Sequence, residues 1–204
     1  MRIITISREF GSGGREIGKR IADILGFAYY DKEIISRVAK IGNFHEKYVE
    51  EAGETGYSAG YTLTYGRTFF YPSSSWDNSS RILIAEQKAL KEIAQKGEDC
   101  IIVGRCADVV LKDFNPFNIF VHADMDSKVR RCMERAGEEI KEKELKRRIK
   151  RIDKNRAKHR EVLSPVKWGN KEAYHICINT TDVTPKEIAP AVAQYALSYF
   201  GEIK

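Results

Sequence analysis

Ile3-Ile4-Thr5-Ile6-Ser7-Arg8-Glu9-Phe10-Gly11-Ser12-Gly13-Gly14-Arg15-Glu16-Ile17-Gly18 is the stretch on which the fold turns. Ile3 to Ile6 is short, apolar and β-branched, the pattern of a buried strand. Gly11, Gly13 and Gly14 interrupt it. Ile17, Ile21, Ala22, Ile24 and Leu25 then recur at helical spacing. A strand, a glycine turn and a helix together form a natural anion cradle, because turn amides and the helix N-terminus point into one concavity. The other use of such a turn is purely structural. An ordinary phosphate-binding turn places Lys and then Ser or Thr after its last glycine. Here Gly14, Arg15 and Glu16 stand there instead. A side chain at Gly13 is expected to block phosphate.

Outward from this stretch, Phe27 to Tyr30 is a second candidate strand, ending at Asp31, and Ile34, Ile35, Val38 and Ala39 mark a helix. Alternation of strand and helix predicts a parallel sheet whose ligands sit beyond the carboxyl ends of the strands. Asp31 lies at such an end, as a helix N-cap or as a ligand contact. Ser79 or Ser80 is expected to cap a long helix with Ile82, Ala85, Ala89, Leu90 and Ile93 buried. Cys100 to Val103 reads as a central strand followed by Gly104-Arg105. Arginine behind a glycine at a strand end suits phosphate capture or a structural ion pair. Asn118 to His122 is a further strand, and the helix over 126–135 is expected to bury Val129 and Met133. Tyr174 to Ile178 is the last strand, and Thr184-Pro185-Lys186-Glu187 a helix start with a capping box.

The 204 residues predict one domain, 1–204, and no 18-residue apolar run predicts a membrane span. No leader sequence is expected, and the four scattered cysteines are expected to be free thiols. The net charge of +6 is concentrated: Glu139 to Glu161 holds eleven Lys/Arg and five Asp/Glu. Read as a helix, this segment puts Leu145, Ile149 and Ile152 on one face and Arg147, Arg151, Lys154 and Lys158 on the other. It serves as a cationic lid, a nucleic-acid contact or a solvated face. Residues 53–80 are dense in aromatics, which fits a hydrophobic satellite or a homodimer surface.

Ser7-Arg8-Glu9-Phe10-Gly11-Ser12-Gly13-Gly14 resembles the signature of the cytidylate kinase-like family, relatives of the nucleoside monophosphate kinases. Val103-Gly104-Arg105, the arginine-rich 147–156 run, Asp153-Lys154-Asn155-Arg156, Trp168-Gly169 and Asn179-Thr180-Thr181 extend the resemblance over nearly the whole chain. Cys106 stands where the family's cytidylate kinases carry an aspartate. The resemblance implies an α/β fold: a P-loop NTPase-like parallel sheet flanked by helices, with a helical lid (137–168) and a monophosphate-binding insertion (53–80). It implies phosphoryl transfer from ATP, with Mg2+, to a nucleoside monophosphate, CMP or dCMP first, in the cytoplasm. Gly11, Ser12, Gly13, Gly14, Arg15 and Glu16 would hold the donor phosphates, with Glu16 reaching the metal through water. Arg8, Asp31, Arg105 and Asp108 would bind the acceptor. Arg15, Arg147, Arg148, Arg151 and Arg156 would stabilise transferring charge. A nucleotide-binding regulator without turnover, a kinase of another small acceptor and a nucleic-acid module are the competing readings.

Overall fold

The computed structural model describes residues 1–55, 74–136 and 141–201. In chain order, the strand β1 (Ile3–Arg8) leads into α1 (Gly14–Leu25), β2 (Ala28–Tyr30), α2 (Lys32–Gly42) and α3 (Glu46–Thr55). Next come α4 (Ser74–Gln95), β3 (Cys100–Val103), the short α5 (Ala107–Val110) and β4 (Phe117–His122). The helices α6 (Met125–Ala136) and α7 (Glu142–Leu163), the strand β5 (Ile176–Asn179) and α8 (Pro185–Tyr199) complete the chain. The five strands form one parallel sheet in the order β2-β3-β1-β4-β5. The chain leaves β1 toward one edge and returns to its other side, so the crevice beside the end of β1 is where such sheets take ligands.

Both faces of the sheet are covered, which is why its strands are apolar without a break. Ile3, Cys100 and Ile102 face a layer built from α2, α3, α4 and α5. Ile4, Ile6, Ile101, Val103, Ile119 and Val121 face α1 and α8. A smaller cluster of Val129, Leu145 and Ile149, with Phe10 against it, seats α7 on α6 above the glycine turn. The expected Thr184 capping box is present, with both reciprocal bonds to Glu187.

The structure decides three local points that the sequence raised. The helix α4 begins at Ser74, so Ser79 and Ser80 lie inside it rather than capping it. Asp31 precedes α2 but makes no capping bond, because its carboxylate is turned to Arg15. Ile24 and Met133 are exposed, since the partner layers do not extend to their helix faces. Of the aromatic 53–80 segment, 56–73 lies outside the described residues.

Gly13 has φ +82, and a Cβ there would lie 2.8 Å from Pro185 Cγ, on the side of α8 rather than in the concavity. Its glycine is therefore a packing requirement as well as a conformational one. Gly13→Ala is expected to cost about 2 kcal/mol in urea unfolding without nucleotide. Gly97→Ala, also at positive φ but facing open space, should cost distinctly less; equal costs would remove Pro185 from the account.

Candidate active site

The carboxyl end of β1, the glycine turn and the start of α1 form the floor of a hollow of about 380 Å³. Gly11, Gly13 and Gly14 line it, while Ser12 is buried beneath, its Oγ donating to Glu9 O at 2.9 Å. The turn is fastened from behind. Thr180 Oγ1 donates to Ser12 O at 2.7 Å, and Arg131 in turn holds the carbonyls of Thr180 and Val183.

The α7 helix is latched to the same turn by Asp153, whose Oδ1 accepts from Phe10 N at 2.7 Å. Lys128, nearly buried on α6, lies between Glu9 Oε2 at 2.9 Å and Asp153 Oδ2 at 3.4 Å. Burial raises the Asp153 pKa against the lowering by the Phe10 amide and the nearby cations. Phe10 carries two guanidinium groups over its ring, Arg148 at 5.7 Å and Arg156 at 5.8 Å. Arg156 Nη1 also donates to Arg8 O at 2.9 Å, tying α7 to the end of β1.

Among the described residues, six cations line the hollow (Arg8, Arg15, Lys32, Arg135, Arg148 and Arg156) against two carboxylates, Glu9 and Glu50. A second hollow of about 110 Å³ adjoins it, sharing Arg8, Arg15, Glu50 and Arg156 and adding Asp31, Arg105 and His159. Arg15 is oriented by Asp31, with Nε to Oδ2 at 2.6 Å. Arg105 is held by Glu86 of α4, which is only 2% exposed. It also sits at φ +56, between Gly104 and Cys106 at φ +82 and +50. Consecutive left-handed non-glycine residues cost energy and concentrate at functional sites.

The remaining expected site residues lie elsewhere. Asp108 is buried against Arg160 of α7, so its carboxylate fixes that helix instead of facing either hollow. The helical period turns Arg147 and Arg151 to solvent, and Arg147 borders a separate hollow with Glu142, Lys143, Lys146 and Lys150. Glu16 pairs with Arg20 at 3.0 Å and Arg135 at 2.7 Å. Among the described residues no three His, Cys, Asp or Glu side chains are grouped to hold a metal. The side chains thus fit a polyphosphate but not a magnesium centre built on Glu16.

Lys128, Phe10, Glu86, Arg131 and His159 are parts of the site that the sequence reading passed over. Glu86 had a legible signal, since it falls on the apolar stripe of Ile82, Ala85 and Ala89. His159 places Nε2 3.2 Å from Glu86 Oε2 and Nδ1 3.8 Å from Cys106 Sγ. Burial would lower its pKa, but the Cys106 and Glu86 contacts outweigh burial and raise it to about 10.

The family model of the cytidylate kinase-like family matches residues 3–182. No curated protein matches the sequence. Among solved structures, an uncharacterized protein from Eubacterium ventriosum ATCC 27560 is similar at 28% identity and a TM-score of 0.71, covering 96% of this chain and 98% of its own. Shikimate kinase from Acinetobacter baumannii, in complex with shikimate, superposes with a TM-score of 0.57 at 13% identity, over 100% of this chain and 96% of its own. Shikimate kinase from Bacteroides thetaiotaomicron gives 0.54 at 15% identity, with 98% of each chain covered. These likenesses establish a P-loop kinase fold. No helix among the described residues is long and apolar enough to cross a membrane.

A raised folded-state pKa means that protonated His159 stabilises fully below about pH 6.5, and that the stabilisation is lost as pH rises toward 10. The stability advantage of the wild type over His159→Gln, measured in urea, should therefore shrink by more than about 1 kcal/mol between pH 6 and pH 10. A difference that does not vary with pH would contradict the buried charged pair.

Proposed function

The chain belongs to the cytidylate kinase-like family, and we propose that it is a cytoplasmic phosphotransferase moving the γ-phosphoryl group of ATP to a nucleoside monophosphate, CMP or dCMP first. The observation that carries this reading is the pair of adjoining hollows with Arg8, Arg15 and Arg156 common to both. The larger one receives the donor triphosphate against the amides of Ser12 to Glu16. The smaller one receives the acceptor phosphate on Arg105. An acceptor phosphate oxygen attacks the γ-phosphorus, the new P–O bond forms, and the bond to the β,γ-bridging oxygen breaks with its electrons going to ADP.

Such transfers need little covalent help from the protein; alignment and fixed positive charge carry most of the rate. Asp31 aims Arg15 and Glu86 aims Arg105, so those cations need no reorganisation when charge develops. Arg148 and Arg156, held on Phe10, bring α7 down as the lid. The insertion over 53–80 is assigned to covering the acceptor base. Magnesium enters no step of this scheme. A nucleotide-binding regulator is the second reading, favoured by glycine at the lysine position of the turn.

Purified protein with MgATP and a panel of monophosphates should form ADP with CMP or dCMP and with few others. Nucleotide binding without turnover on any acceptor supports the regulator instead. Arg105→Ala should raise the acceptor KM at least about tenfold in a folded protein, and Arg156→Ala should lower kcat about a hundredfold. Unchanged acceptor KM in Arg105→Ala removes that residue from the acceptor site.

A further inference from the structure

We propose that Arg8 takes over the charge that an ordinary phosphate-binding turn draws from its lysine, and that Gly14 and Gly104 lack side chains to let it do so. This rests on the phosphotransferase reading above. Arg8 is the last residue of β1, at the centre of the sheet. Its stem crosses the first turn of α1, where a Cβ on Gly14 would lie 2.6 Å from Arg8 Cβ and 3.1 Å from Cγ. Its head passes Gly104 at the end of β3, where a Cβ would overlap Nη1 and Cζ of the guanidinium. A lysine at position 14 and an arginine at position 8 therefore exclude each other.

Among the described residues no carboxylate lies within ion-pair distance of Arg8. The charged groups that act on it are Arg156 of α7, Arg15 of α1, Arg105 after β3 and, with opposite sign, Asp31 before α2, itself engaged by Arg15. Burial first, then these cations, lower its pKa to about 9. A cation kept this way gains most from an anion arriving beside it. Arg8 also borders both hollows, which puts its head between donor and acceptor, where the transferring group passes.

The full chain tests this in Arg8→Gln, Arg8→Ala, Gly14→Lys and the exchange Arg8→Gly with Gly14→Lys. Thermal stability, binding of inorganic tripolyphosphate and turnover with MgATP and CMP are measured for each. Arg8→Gln should be at least as stable as the wild type, since it removes a half-buried charge among like charges, whereas a structural arginine would lose stability. Arg8→Ala and Arg8→Gln should bind tripolyphosphate at least about tenfold more weakly and turn over about a hundredfold more slowly. Gly14→Lys alone should lower the melting temperature, and the exchange should restore it together with at least tenfold of the lost affinity. Wild-type tripolyphosphate affinity in folded Arg8→Gln overturns the proposal. So does a folded exchange variant no better than Arg8→Ala; if the exchange does not fold, the two single Arg8 variants decide. Arg8-dependent tripolyphosphate binding in a wild type without turnover leaves the Arg8 assignment standing and sinks the kinase reading. Turnover indifferent to Arg8 does the reverse.

Discussion

Like charges gathered in a partly buried crevice repel, and the rest of this structure is arranged around making that gathering tolerable. Acids around the crevice are assigned to cations: Asp31 to Arg15, Glu86 to Arg105, Asp108 to Arg160, Asp153 to Lys128 and Arg156. The acids stand behind the cations and set their directions. Because removing one partner of a buried pair leaves the other unpaired in low dielectric, these pairs are geometrically demanding. They also connect elements far apart in sequence: α1 to the end of β2, α4 to the end of β3, α7 to α5 and to α6. Arg8 has no ion-pair partner among the described residues, and it borders both hollows.

The turn itself depends less on its glycines facing a ligand than on their facing the protein. Gly13 backs onto Pro185, and Gly14 onto Arg8. Thr180 holds the turn from below, and Asp153 holds it from above through Phe10 N. A loop fixed on both sides presents its amides without further ordering, which is the condition for binding an anion at low entropic cost.

Much of this was legible in the sequence because it is local. The strand, turn and helix at Ile3 to Leu25, the apolar run Cys100 to Val103 and the Thr184 capping box each declare themselves within a few residues. The face of α7 that carries Leu145, Ile149 and Ile152 does so too. What was not legible is pairing at a distance. Nothing near Asp108 announces Arg160, fifty-two residues on, and nothing near Gly14 says that Arg8 will occupy its space. The lid arginines divide for a local reason that was half visible: Arg148 and Arg156 fall toward the apolar stripe, whereas Arg147 and Arg151 fall away from it. Glu86 and Arg160 interrupt apolar stripes, and a charged residue there is the one sequence sign of a buried ion pair.

The most direct test is a crystal structure of the chain with a non-hydrolysable ATP analogue. The account predicts β- and γ-phosphates over the amides of Ser12 to Glu16, with a γ-oxygen within hydrogen-bond distance of the Arg8 and Arg156 guanidinium groups. Nucleotide bound elsewhere while that hollow stays empty, or phosphates in the hollow that leave Arg8 without contact, would contradict it.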